Sequence, residues 1–81
     1  MNVFATAAFK SDLNTFPDSV KRKLAKQTDY LVANIRHPSL RAKKYDESRN
    51  VWQARVDRDI RFYFRIEGDR YVLLTIKKHP K

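Results

Sequence analysis

The stretch "VWQARVDRDIRFYFRI", residues 51–66, interleaves arginines with several of the bulkiest apolar side chains in the chain. A strand sends alternate residues to opposite faces, whereas a helix would spread both kinds around its surface. Read as two strands over 51–57 and 60–66, joined at "DRD", the stretch sorts itself. Trp52, Ala54 and Val56 share one face with Ile60, Phe62, Phe64 and Ile66, and Gln53, Arg55, Arg61, Tyr63 and Arg65 share the other. A third strand over 70–77 follows the only glycine, Gly68. Strict alternation there adds Val72, Leu74 and Ile76 to the apolar face. It gives Tyr71, Leu73, Thr75 and Lys77 to the basic one, with His79 continuing that parity. Links this short imply an antiparallel meander.

Upstream, "RHPSLRAKKYDESRN" at 36–50 contains Pro38, loses apolar periodicity and ends in turn-forming residues, so it reads mostly as loop with Leu40 as an anchor. Before it, Val20, Leu24, Leu31 and Ile35 line one stripe of an amphipathic helix of about four or five turns. Lys21, Arg22, Lys23 and Lys26 mostly turn away from that stripe. Pro17, Asp18 and Ser19 suit its start. Phe9, Leu13 and Phe16 recur at the spacing of a short helix, and "NVFAT" is β-compatible. The expected fold is therefore α+β in two layers: two N-terminal helices on one face of an antiparallel sheet, in the order β-α-α-β-β-β.

At 81 residues, one domain over 1–81 near the lower size limit for an unstapled hydrophobic core is expected. Without cysteine there is no disulfide or thiolate zinc site, and a reducing cytoplasmic setting is the simplest. No apolar run approaches the roughly 18 residues of a membrane span, and "MNVFATAAFK" lacks the pattern of a signal peptide. Eighteen Lys and Arg against nine Asp and Glu give +9, which makes polyanions the leading partner class, although an acidic protein fits the same charge. Residues 1–40 carry +3 and residues 41–81 carry +6, so the excess lies with the strands.

Gathering Arg55, Arg61, Arg65 and Lys77 on one sheet face sets like charges on neighbouring strands, a cost that a bound anion offsets. The competing reading is a solvated face relieved by Asp57, Asp59 and Glu67, with Tyr63 and Tyr71 merely covering sheet. Functionally, those tyrosines suit base stacking in single-stranded RNA recognition. An RNA-recognition motif is excluded because its glycines are missing. A single glycine also rules out a phosphate-cradling loop, and two distant histidines make zinc improbable. Beside a basic groove, His79 is suited to proton transfer near neutral pH.

The segments "LRAKKY", "VWQARVDRDIRFYFRI" and "YVLLTIKKH", with the "FPDSVKRKL" helix start, resemble the RelE/ParE superfamily, the toxins of type II toxin–antitoxin systems. The likeness covers nearly the whole chain. It implies a RelE-like two-layer fold and, on the RelE-like branch, a ribosome-dependent endoribonuclease (mRNA interferase) that cleaves mRNA and inhibits translation without a metal or other cofactor. The implied partners are a cognate antitoxin, the ribosome and mRNA, with no membrane. The family's strand arginine falls on Arg61, its paired basic positions on Gln53 and Arg55, and the position after the last strand on His79.

The implied catalytic set is Arg61, Arg55 and His79. Gln53, Tyr63, Arg65, Lys77, Lys78, Lys43 and Lys44 are the implied RNA contacts. Gln53 stands where well-known members carry lysine, and residues 1–81 contain no counterpart of the tyrosine that many ribonuclease members bear on a further C-terminal segment. Two other readings share the fold: a ParE-like inhibitor of DNA gyrase, and a non-catalytic antitoxin-binding module.

Overall fold

The structure is a computed structural model and describes residues 1–79. Strand β1 (Asn2–Ala5) leads into helices α1 (Ala7–Leu13) and α2 (Asp18–Ala33), followed by β2 (Lys43–Asp46), β3 (Val51–Arg55), β4 (Ile60–Glu67) and β5 (Arg70–Lys78). The strands form one sheet in the order β1-β5-β4-β3-β2. The α+β architecture with two helices on one sheet face is as the alternation and periodicity predict. Two features of the sheet differ.

First, the segment predicted as loop contains β2, an edge strand antiparallel to β3. Its "KKYD" has no apolar alternation because an edge strand needs none, and lysines there guard against further pairing. Second, β1 lies parallel to β5, so the sheet is mixed rather than antiparallel. The pairing joins residues nearly 70 positions apart, for instance Val3 with Tyr71, which no local pattern reveals.

The core lies between α2 and the sheet. Leu31, Leu40, Phe62 and Phe64 are completely buried, and Phe9 nearly so. Each of these side chains contributes about 1.5–3 kcal/mol by leaving water. Thr6 caps α1: its Oγ1 accepts from Phe9 N at 3.1 Å and donates to Leu73 O at 2.9 Å, fastening the helix start to β5. Helix α2 ends at Ala33, so Ile35 reaches the core from the loop beyond it.

A β-bulge at Leu74 changes the parity of β5. Tyr63 pairs with Thr75 but Phe64 pairs with Leu73, so one extra residue intervenes on β5. Every side chain before the bulge therefore changes face relative to strict alternation. Tyr71 and Leu73 enter the core, and Tyr71 meets Phe64 edge-on at 5.5 Å. Val72 takes the opposite face beside Arg65. Tyr71 is thus a core residue and not part of a stacking surface.

Gln27 fills the gap that the apolar stripe leaves between Leu24 and Leu31. It is buried, with Nε2 donating to Ser39 O at 3.0 Å and to Arg55 O at 2.8 Å, while its Oε1 accepts from Ser39 Oγ. One side chain thereby ties α2 to the end of β3 and to the segment ahead of β2. Replacing Gln27 with leucine strands two carbonyls in a buried place, a loss of about 1–3 kcal/mol. Urea unfolding of Gln27→Leu is expected to show that loss, and an unchanged midpoint would refute the clamp.

Candidate nucleic-acid interface

On the face away from the helices, the strand register lines up two transverse rows. One runs Lys77, Arg61, Arg55, and the next runs Thr75, Tyr63, Gln53, Lys43. Arg41, Lys43, Gln53, Arg55, Arg61 and His79 line a groove of about 260 Å³ at the end of these rows. Four of the six are permanent cations and none is a carboxylate.

The groove is assembled around the turn at 57–60. The Asp57 carboxylate accepts from the Asp59 and Ile60 N–H groups through Oδ1, at 2.9 and 3.0 Å, and from Lys23 Nζ through Oδ2 at 3.2 Å. Arg61 closes the same turn from the other side, its Nη1 donating to the carbonyls of Asp57 at 2.8 Å and of Arg58 and Ile60 at 3.2 Å. With one nitrogen occupied, Nε and Nη2 make no hydrogen bond among the described residues and remain for a ligand. The backbone N–H of His79 donates to Asp59 O at 2.7 Å, which sets that residue at the groove.

Arg55 is held through its backbone: its N–H donates to Leu40 O at 2.7 Å and its carbonyl accepts from Gln27. Its Nε is buried without a hydrogen-bond partner. Burial, and then the guanidinium groups of Arg41, Arg61 and Arg58, push its pKa below the usual arginine value. An anion in the groove offsets the repulsion among these guanidinium groups through charge-assisted hydrogen bonds.

Of the residues singled out in the sequence, Arg61, Arg55, Gln53, Lys43 and His79 come together in this groove. Tyr63 and Lys77 lie beside it, but Tyr63 is only 4% exposed. It sits on the central strand beneath Tyr45, with Lys77 Nζ 5.0 Å from its ring, so it is no open stacking platform. Arg65 stands toward the far end of β4, paired with Glu67 at 3.4 Å.

Lys44 and Lys78 face the other way. Lys44 pairs with Trp52 and lies 5.4 Å from its ring, and Lys78 pairs with Ile60, so neither belongs to the groove. Arg41 was not singled out. It occupies the left-handed region at φ 46°, uncommon for a residue with a Cβ, in a segment where periodicity carries no signal. Tyr45 likewise lies in the segment whose sequence reads as loop.

The hydrogen bonds to Asp57 outweigh the opposing effect of its burial and hold the carboxyl below its usual pKa. The resulting stabilisation is present above the unfolded value, about 3.9, and disappears as pH falls through the folded value. Urea midpoints for the wild type and Asp57→Asn are therefore expected to differ at pH 6 and to converge in the acid range. A difference independent of pH would remove the carboxylate from this role.

No family model and no curated protein sequence matches the chain. Solved structures do. A YoeB/ParE toxin from Agrobacterium tumefaciens superposes with TM-score 0.79 at 14% identity, covering 99% of this chain and 100% of its own. The YoeB dimer from Staphylococcus aureus gives 0.80 at 10% identity, with 99% and 98% covered. The archaeal RelE–RelB complex from Pyrococcus horikoshii OT3 gives 0.78 at 16% identity, with 95% and 92% covered. Two helices on a five-stranded mixed sheet thus give the chain the fold of these YoeB- and RelE-type structures.

Proposed function

We propose that the chain is the toxin of a type II toxin–antitoxin pair, acting in the cytoplasm as a metal-independent endoribonuclease on ribosome-bound mRNA. The observation that carries this reading is the groove in which Arg41, Lys43, Arg55 and Arg61 converge with His79 and no carboxylate intervenes. Such a site fits a phosphodiester. The similarity to a RelE solved with RelB and to YoeB solved with YefM supports a toxin with an antitoxin partner.

In the proposed reaction the ribose 2'-oxygen attacks the adjacent phosphorus, and the bond from phosphorus to the 5'-oxygen breaks. The 2'-hydroxyl must lose a proton and the leaving oxygen must gain one. His79 performs one of these transfers, a role worth about 10² to 10⁴ in rate. Arg55 and Arg61 stabilise the charge that builds on the phosphorane-like oxygens. Loss of one preorganised donor of this kind costs about 10² to 10³.

Gln53 is a neutral amide and cannot deliver a proton as an ammonium does. Lys43 lies directly across from it in register and brings an ammonium to the same row. Lys77 extends the cationic row past Arg61, along the path of the RNA backbone. The antitoxin is proposed to neutralise the protein by laying an acidic segment over this face.

Primer extension on messages in a translation extract tests the reading. Cleavage within codons that requires translation is expected, and it should fall by about two orders of magnitude or more in Arg55→Ala and His79→Ala. Neither side chain makes a hydrogen bond within the described residues, so both variants should fold. Intact messages with blocked DNA supercoiling would overturn the nuclease in favour of a gyrase inhibitor. Normal growth on expression with tight antitoxin binding would leave only a binding module.

A further inference from the structure

Beside the cationic groove on the same face is a second cleft of about 210 Å³, lined in part by Tyr45, Asp46, Arg49, Val51, Tyr63 and Lys77. It is smaller than the roughly 300–1,000 Å³ of sites for drug-sized ligands. That suits one planar ring rather than an extended molecule.

Both bulges in the sheet border this cleft. The register of β2 slips between Lys44 and Asp46, releasing Tyr45 from pairing, and Leu74 is the extra residue of β5. A bulge re-aims the side chain it carries. Here the slip sets Asp46 opposite Val51 on the open face. Beside it, Tyr45 shares that face with Lys43 by ordinary alternation, and its ring meets Tyr63 edge-on at 4.9 Å while remaining 58% exposed. The floor is buried, with Val51 at 8% and Tyr63 at 4% exposure. A large aromatic ring left in water above an apolar floor is half of a stacking site.

Unlike the groove, this cleft has a carboxylate in its lining, that of Asp46, together with the cations of Arg49 and Lys77. Asp46 accepts from Ser48 Oγ and Arg49 N through Oδ1, leaving Oδ2 without a hydrogen bond among the described residues. Those contacts, led by the Ser48 hydroxyl, keep its carboxyl below the usual range, so it is an acceptor only. That carboxylate attracts a ring bearing an amino donor, as acidic side chains attract the cytosine amino group. The cleft's row through Tyr63 lies two residues along β4 from the row through Arg61, about 6.6 Å.

Resting on the reading of the groove as an RNA-backbone site, we propose that this cleft receives one nucleobase of the bound strand, stacked on Tyr45 and selected by Asp46 for an exocyclic amino group. Tyr45 and Asp46 are thereby specificity-determining residues, while Arg55 and Arg61 hold the backbone without reading sequence.

Fluorescence anisotropy with labelled hexaribonucleotides tests this, using oligocytidine, oligouridine and an abasic oligomer of equal charge. The wild type is expected to bind oligocytidine about tenfold more tightly than the abasic strand, as one stacked base allows. Tyr45→Ala should lose that margin and Tyr45→Phe, which restores a ring, should recover it. Asp46→Asn should erase the preference for cytidine over uridine. Arg55→Ala should weaken all three strands alike. If Arg55→Ala acts in that way but the wild type binds abasic and base-bearing strands equally, the nucleobase site is overturned and the backbone groove stands. If no strand binds in an Arg55-dependent manner, the RNA reading falls and the base site with it.

Discussion

Satisfying the backbone of the 57–60 turn is the constraint on which the open face depends. Two strands joined this tightly leave carbonyls and amides that cannot pair within the ladder. Asp57 takes the amides of Asp59 and Ile60, and one nitrogen of Arg61 takes the carbonyls of Asp57 and Arg58 and joins Val56 N at the carbonyl of Ile60. The N–H of His79 takes a fourth carbonyl, that of Asp59. The same bonds that make the turn stable therefore fix the guanidinium and the imidazole-bearing residue at the groove. Structure and candidate chemistry share atoms here.

A second set of contacts performs the same service for β3. The buried amide of Gln27 and the carbonyl of Leu40 hold both backbone groups of Arg55, which leaves its side chain to face the other cations. Four permanent charges in one groove oppose one another, and Arg55 carries an unpartnered buried nitrogen besides. A fold that holds such a cluster without a carboxylate in it is stabilised further by any anion that enters. That mass-action argument applies equally to a phosphodiester and to an acidic peptide segment, so the proposed target and the proposed inhibitor can use one surface.

The two bulges show how small departures from regular pairing divide the face into parts. Without the extra residue at Leu74, Tyr71 would share the face of Tyr63 and the core would lose an edge-on partner of Phe64. Without the slip in β2, alternation would put Asp46 on the face of Lys44 and not opposite Val51. Register errors of one residue move whole side chains between layers. Which side chains the open face carries is consequently decided in part by two positions that have no distinctive composition.

Residues 51–66 by themselves determined the layering of the central strands, because alternation of Phe62 and Phe64 with Arg61 and Arg65 has a period that only a strand can use. The stripe of α2 and the short links of the meander were equally local, and so was the excess of charge in the strand half. Tertiary structure decided the rest. Strand β2 exists because β3 offers an edge, not because "KKYD" prefers to be extended. The pairing of β1 with β5 and the place of Arg41 depend on contacts between distant segments. The bulge that sends Tyr71 inward depends on how β5 must meet β4, and the facing of Lys44 and Lys78 follows from pairing register. Periodicity reports which side chains a single element can bury together, and it is silent wherever the partner strand sets the face.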